Sequence, residues 1–126
     1  FDTMSRVANF TIEDNNQLAS IQFDGLAQVT GNMLLRDNEE MRTPGVFPRL
    51  TSVVGNFTIE SNDQMTDLTG LGALSTVRNL YINRNPALEI TAGMDGLTRV
   101  SERLHIVDHH ILNQHEIAHK IILGQL

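Results

Sequence analysis

The chain has 126 residues, 40% of them apolar and 19% charged, enough for one domain with a continuous core and no covalent staples. Its formal net charge is −6 and no Lys/Arg cluster appears along the sequence, so no nucleic-acid partner is expected, since neutralising that backbone needs several convergent cations. Cysteine is absent, which excludes disulfides and thiolate metal sites, and no apolar run approaches the ~18 residues of a membrane-spanning helix.

The first predicted element is a strand within residues 9–15, where Phe10 and Ile12 alternate with Thr11 and Glu13. The pattern returns at 32–38, 56–62 and 79–85, and in altered form at 103–109, with start-to-start spacings of 23, 24, 23 and 24 residues. Gly31-Asn32 and Gly55-Asn56 mark tight corners before the second and third of these strands. Pro44 and Pro48 make the second side of turn two the expected least regular stretch. At the C-terminus, Ile111, Ala118 and Ile122, with Ile117 and Ile121 alongside, follow helical spacing. Asn113 as N-cap and Glu116 three residues on form a capping box, so a helix over 113–126 is expected to close the stack.

Aligned on this register, whole columns agree. Phe10, Met33, Phe57, Leu80 and Leu104 share one slot, and Ile12, Leu35, Ile59, Ile82 and Ile106 the next. Leu18, Met41, Met65, Leu88 and Leu112 follow, then Phe23, Phe47, Leu71 and Met94, then Leu26, Leu50, Leu74 and Leu97. Val29, Val53, Val77 and Val100 close the turn. A strand with one apolar face cannot bury it alone, so it stacks on its equivalents about 4.8 Å above and below. The expected fold is an all-β solenoid of about five turns over 1–112, with the capping helix over 113–126. The column Asn15, Asn38, Asn62 and Asn85 falls where each strand ends, and its side chains are expected to satisfy backbone groups of neighbouring turns. His109 stands in that slot in the fifth turn, where the ladder is expected to stop.

A strand followed by Asn-x-x-Leu, a Gly-Leu step and a terminal Val, clearest in Ile82-Asn-Arg-Asn-Pro-Ala-Leu88 and Asp24-Gly-Leu26, resembles the receptor L-domain family. The likeness spans roughly residues 5 to 112. Those domains are leucine-rich right-handed β-helices of growth-factor receptor ectodomains and fungal cell-wall surface proteins. The resemblance implies an extracellular or cell-surface setting and binding through the solenoid surface. The chain departs from the receptor members in being short and free of cysteine, and no ligand-binding residue carries over, because the shared motif is structural.

Several residues carry candidate chemistry. Asn9-Phe-Thr11 and Asn56-Phe-Thr58 are N-x-Thr glycosylation sequons at equivalent slots two turns apart, with Asn and Thr outward if Phe10 and Phe57 point inward. The same sequence arises if Asn belongs to the corner and Thr to the strand. Leu34 and Tyr81 lie in an outward column with Thr11, Thr58 and His105 and mark a surface contact; the neighbouring Glu13, Arg36 and Glu60 read as mutual cross-strand support. His115-Glu116-Ile-Ala-His119 is a literal H-E-x-x-H, whose two imidazoles on one helix face suit Zn²⁺ with Glu116 activating a water. His109, His110 or Asp108 would supply a third ligand. Against catalysis, Ile122 stands where the metzincin glycine belongs, and the rest of the chain is repeat with no second domain to form a cleft.

The expectation is a protein-interaction or structural module, not an enzyme, with no cofactor and a protein or glycan partner. The alternative is a zinc-dependent hydrolase fragment using His115, Glu116 and His119. Starting at Phe1 with neither initiator Met nor signal peptide, the chain reads as a mature or excised piece of a precursor. Residues 1–4 offer little cover for the first turn, so further turns or self-association at that end are also expected.

Overall fold

Alternating apolar residues at a fixed repeat produce a stack of parallel strands. The computed structural model describes residues 5–88 and 94–107. Among them are seven strands: β1 (Arg6–Val7), β2 (Phe10–Glu13), β3 (Gln28–Val29), β4 (Met33–Arg36), β5 (Ser52–Glu60), β6 (Thr76–Asn83) and β7 (Arg99–Val107). Every pairing is parallel. Each turn carries a short strand segment, a bend and a longer segment; in the first two rungs these are separate strands, and in β5, β6 and β7 they run together. Where they merge, the register shifts between Val53 and Asn56 and between Val77 and Asn79.

The register reproduces the sequence columns. Phe10 lies opposite Met33, then Phe57, Leu80 and Leu104, and Ile12 opposite Leu35, Ile59, Ile82 and Ile106. The valine file extends one rung further than the repeat suggests, from Val7 through Val29, Val53 and Val77 to Val100. In the middle rungs these side chains lose nearly all solvent contact, and the end members Val7, Phe10, Ile12, Phe23, Val100, Leu104 and Ile106 are only partly buried. Each fully buried aliphatic or aromatic side chain contributes about 1.5–3 kcal/mol, most of it offsetting the entropy of ordering the chain. Phe23 and Phe47 stack one above the other at 5.6 Å and 8°, and Phe10 meets both edge-on.

A left-handed residue turns the chain at the end of each of the first four long segments. Asp14, Asp37, Ser61 and Arg84 all have φ between 55° and 58°, immediately before Asn15, Asn38, Asn62 and Asn85. Asp tolerates this region better than most non-glycine residues, whereas Arg84 pays for it. On the far side, Gly70 at φ +98° passes so close over Gly45 that a Cβ would overlap the Gly45 carbonyl oxygen.

The expected number of turns needs correction. Five rungs enclose only four intervals, so the described residues form about four turns rather than five. Among them no helix occurs, and the expected capping helix over 113–126 lies outside the described residues. The second side of turn two, where Pro44 and Pro48 stand, bends at residues 42–44 and has Gly45 at φ 106°, yet it keeps one pairing. Val46, between Pro44 and Pro48, donates to Ile21 O and accepts from Phe23 N, both at 2.9 Å, the isolated bridge on that side. The prolines flank the donor positions instead of occupying them.

Candidate functional site

Burial of the strand ends forces polar side chains into the interior, and these form the first of three outward- or corner-facing arrays. Asn38, Asn62 and Asn85 are completely buried. Asn38 donates from N and Nδ2 to Asn62 Oδ1 at 3.1 and 3.3 Å, and Asn62 donates in the same way to Asn85 Oδ1 at 3.0 and 3.1 Å. Each Nδ2 also reaches back to a carbonyl one rung below: Asn38 to Ile12 O, Asn62 to Leu35 O and Asn85 to Ile59 O, each at 3.0 Å. Asn15, half-buried, donates to Asn38 Oδ1 at 3.1 Å. The ladder is directional, and its carboxamides satisfy groups that burial would otherwise orphan.

A second asparagine file holds the opposite corner. Asn9 Oδ1 accepts from Asn32 N at 3.0 Å, Asn32 Oδ1 from Asn56 N at 2.9 Å, and Asn56 Oδ1 from Asn79 Nδ2 at 2.8 Å. Both sequon asparagines therefore belong to this file, but Asn9 is exposed on the first rung while Asn56 is half-buried in the middle. Thr51, Ser75 and Thr98 form a third file, passing hydroxyl bonds to Ala27 O, Thr51 O and Ser75 O.

The outer face of the long segments carries Thr11, Leu34, Thr58, Tyr81 and His105 in one register column. Leu34 and Tyr81 are half-buried and two rungs apart, and the Tyr81 ring lies 6.2 Å from that of His105. Beside them Arg36 bridges Glu13 at 2.6 Å. Arg36 Nε sits 3.6 Å from the Asp37 carboxylate, inside ion-pair reach but too long for a hydrogen bond, so Nε joins Asn83 Oδ1 as a buried polar atom without one.

The outer face of the short segments is a different surface. A shallow recess of about 360 Å³ lies across Ser52, Val54, Thr76, Arg78, Arg99 and Ser101. Val54 is 47% exposed, unusual for a large aliphatic residue in this fold. Arg78 donates to Glu102 Oε1 at 2.8 Å; that hydrogen bond holds the Glu102 carboxyl below its ordinary value and raises Arg78 in turn. Arg99 makes no ion pair among the described residues. A further recess of about 350 Å³ opens on the first rung between Val7, Phe10, Ile12, Phe23 and Leu26.

The His115-Glu116-x-x-His119 motif and its partners Asp108, His109 and His110 lie outside the described residues. Among those described, no three His, Asp or Glu side chains cluster to hold a metal, and no helix is long and apolar enough to cross a membrane. Reading columns missed the hydroxyl file and the cationic recess: the hydroxyl file is visible as Thr51, Ser75 and Thr98 at spacings of 24 and 23, but the recess repeats no residue. No family model, curated protein or solved structure matches the chain, so the all-β solenoid itself, with its filled interior and patterned outer faces, is the identity that the geometry establishes.

Proposed function

We propose that the chain is an extracellular or cell-surface interaction module of receptor L-domain type, which binds a protein or glycan through its outer faces and performs no catalysis. The observation that carries this reading is the filled interior. Leu35, Phe47, Phe57, Ile59, Leu74 and Leu80 are all at 0% exposure, so a ligand meets only outward columns, corners and ends. The L-domain likeness gains support from the corner chemistry, since Asn85 and Leu88 of the Asn-x-x-Leu step are buried and joined by a 3.0 Å backbone hydrogen bond. Outward positions are relieved of packing duty, so they vary at little cost to stability.

The test is a panel of immobilised extracellular glycans and matrix proteins, probed with wild type and two surface variants. One carries Leu34→Ser with Tyr81→Ser, the other Arg78→Ser with Arg99→Ser. The reading expects saturable binding that one variant loses while both unfold within about 1 kcal/mol of wild type. Saturable binding that neither variant disturbs, or no binding across the panel, overturns it.

A further inference from the structure

The charge of this chain is segregated. The five segments that build the short-strand face, residues 5–8, 27–31, 51–55, 75–79 and 98–103, contain Arg6, Arg78, Arg99 and Arg103 and one carboxylate, Glu102. The chain as a whole is at −6. The other described acids lie outside these segments, among them Glu13, Asp37, Glu60 and Asp63 on the long-strand face or its corners, and Asp24, Asp67 and Asp95 on the remaining side of the turn. A face with excess cations on an acidic protein attracts anions there and repels them elsewhere.

The arrangement within the face narrows the class. Val7, Val29, Val53, Val77 and Val100 point inward, so their neighbours Arg6, Gln28, Ser52, Thr76 and Arg99 form an outward column one rung apart, about 4.8 Å per step. Beside the upper part of that column stand Val54, Arg78 and Ser101. The recess thus combines two guanidinium groups, three hydroxyls and one exposed aliphatic patch. All are side chains on the face of the sheet; the main-chain groups of β5 and β6 are spent in the ladder, while β7 pairs with β6 alone among the described residues. An extended peptide laid across that face finds no backbone partner, since strand addition needs an edge. A sugar ring does not need one: its hydroxyls pair with Ser52, Thr76 and Ser101, its apolar C–H face lies on Val54, and an anionic substituent meets Arg99.

We propose that this recess is a binding site for an anionic polysaccharide, a chain of sugars bearing carboxylate or sulfate, with Arg99 and Arg78 taking the charged groups. Arg99 makes no ion pair among the described residues, and the Glu102 carboxylate occupies, beside Arg78, the position a ligand anion would take. Ligand and Glu102 therefore compete for one guanidinium. Arg6 lies four rungs below Arg99, roughly 19 Å along the stack, so it engages only a polymer. This inference rests on the surface-recognition reading and assigns it a face and a ligand class.

The test uses the full chain with polygalacturonate and dextran sulfate as probes, neutral dextran and polyglutamate as controls, and an equilibrium binding readout. Binding to one or both anionic polysaccharides is expected, weakening steeply from about 0.05 to about 0.5 M salt as the Debye length contracts. Arg99→Ser is expected to weaken it about tenfold and the double variant with Arg78→Ser further, since each charged hydrogen bond lost is worth about that factor. Glu102→Gln is expected to tighten it, by about threefold. A structural role for Glu102 would instead give weaker binding and a lower unfolding midpoint. Carboxylate against sulfate is decided by which probe binds. Equal affinity for polyglutamate would reassign the site to acidic peptides and overturn the glycan assignment; so would unchanged binding by Arg99→Ser, or no binding to either anionic probe. If the Leu34/Tyr81 variant loses binding to another panel member while the anionic probes fail, the recognition reading stands and this inference falls.

Discussion

Replacing Asn62 by Ala tests whether the buried carboxamide ladder holds the turns together. Asn62 is fully buried and takes part in four ladder bonds through its side chain. With the carboxamide gone, the Asn38 N–H loses its acceptor inside the fold, which costs about 1–3 kcal/mol for a buried orphan. The bonds from Asn38 Nδ2, and from Asn62 Nδ2 to Leu35 O and Asn85 Oδ1, also go, at about 0.5–1.5 kcal/mol each. Two of those partners keep another bond, since Asn38 Nδ2 still reaches Ile12 O and Asn85 Oδ1 still accepts from Asn62 N, so the lower half of that range applies. The expected loss is about 3–5 kcal/mol, a large part of the 5–15 kcal/mol typical of a domain.

The same substitution at Asn15 is the internal comparison. Asn15 is half-buried on the first rung and gives up two bonds, to Glu13 O and Asn38 Oδ1, both from a nitrogen beside solvent. Water replaces most of what is lost, and the cost falls to about 1 kcal/mol. Asn62→Asp keeps the shape and the accepting oxygen but turns a charged oxygen towards Leu35 O and Asn85 Oδ1, so at neutral pH it should destabilise at least as much as Ala. The assay is urea unfolding, read from the midpoint with an unchanged slope. If Asn62→Ala and Asn15→Ala fall within about 1 kcal/mol of each other, the ladder contributes no more than a surface hydrogen bond and the reasoning fails.

Three shorter predictions follow from other parts of the stack. Gly70→Ala, at φ +98° and against the Gly45 carbonyl, should cost about 2–4 kcal/mol, while Gly72→Ala, which meets nothing within 4 Å, should stay within about 0.5 kcal/mol; equal thermal shifts would remove the close-approach argument. Glu102 has its folded value lowered by Arg78, so the pair adds stability above the ordinary carboxylate value of 4.5 and loses it as pH falls through the lower folded value. The gap between wild type and Glu102→Gln in unfolding midpoint should therefore be small at neutral pH, both groups being exposed, and vanish on acidification; a gap that widens contradicts the sign. Expressed through a eukaryotic secretory route, the protein should carry its glycan on the exposed Asn9 of the first rung and not on Asn56, which is half-buried in the middle of the stack; a mass increment lost in Asn56→Gln but kept in Asn9→Gln reverses that order.

The stack was legible because every turn solves one packing problem with similar residues. Phe10, Met33, Phe57 and Leu80 differ in shape but share a period, and the register places them in one file. Leu68 escaped although it is completely buried, because Pro44 stands 24 residues before it and Thr91 stands 23 after it, so no residue type repeats in that slot. The left-handed corners escaped for a different reason. Asp14, Asp37, Ser61 and Arg84 share a φ and no chemistry, and the constraint comes from the strand and the Asn on either side. The asparagine columns were visible, but not their direction: which oxygen accepts from which nitrogen depends on the vertical order of the rungs.

The same logic explains why a candidate site hides in a sequence whose fold is plain. Along the short-strand face, Val7, Val29, Val53, Val77 and Val100 repeat one residue five times, because the interior allows no other solution of that size. Their immediate neighbours Arg6, Gln28, Ser52, Thr76 and Arg99 never give the same residue on adjacent rungs, because solvent accepts all of them. A uniform outer column would present one chemistry along the whole stack and could not distinguish one end from the other. Breaking the repeat gathers Arg78, Arg99 and Arg103 on the last two rungs beside exposed Val54, while the valines behind them hold the positions fixed. On the proposed reading, recognition resides in the positions that depart from the period, and the inward period keeps those departures in register.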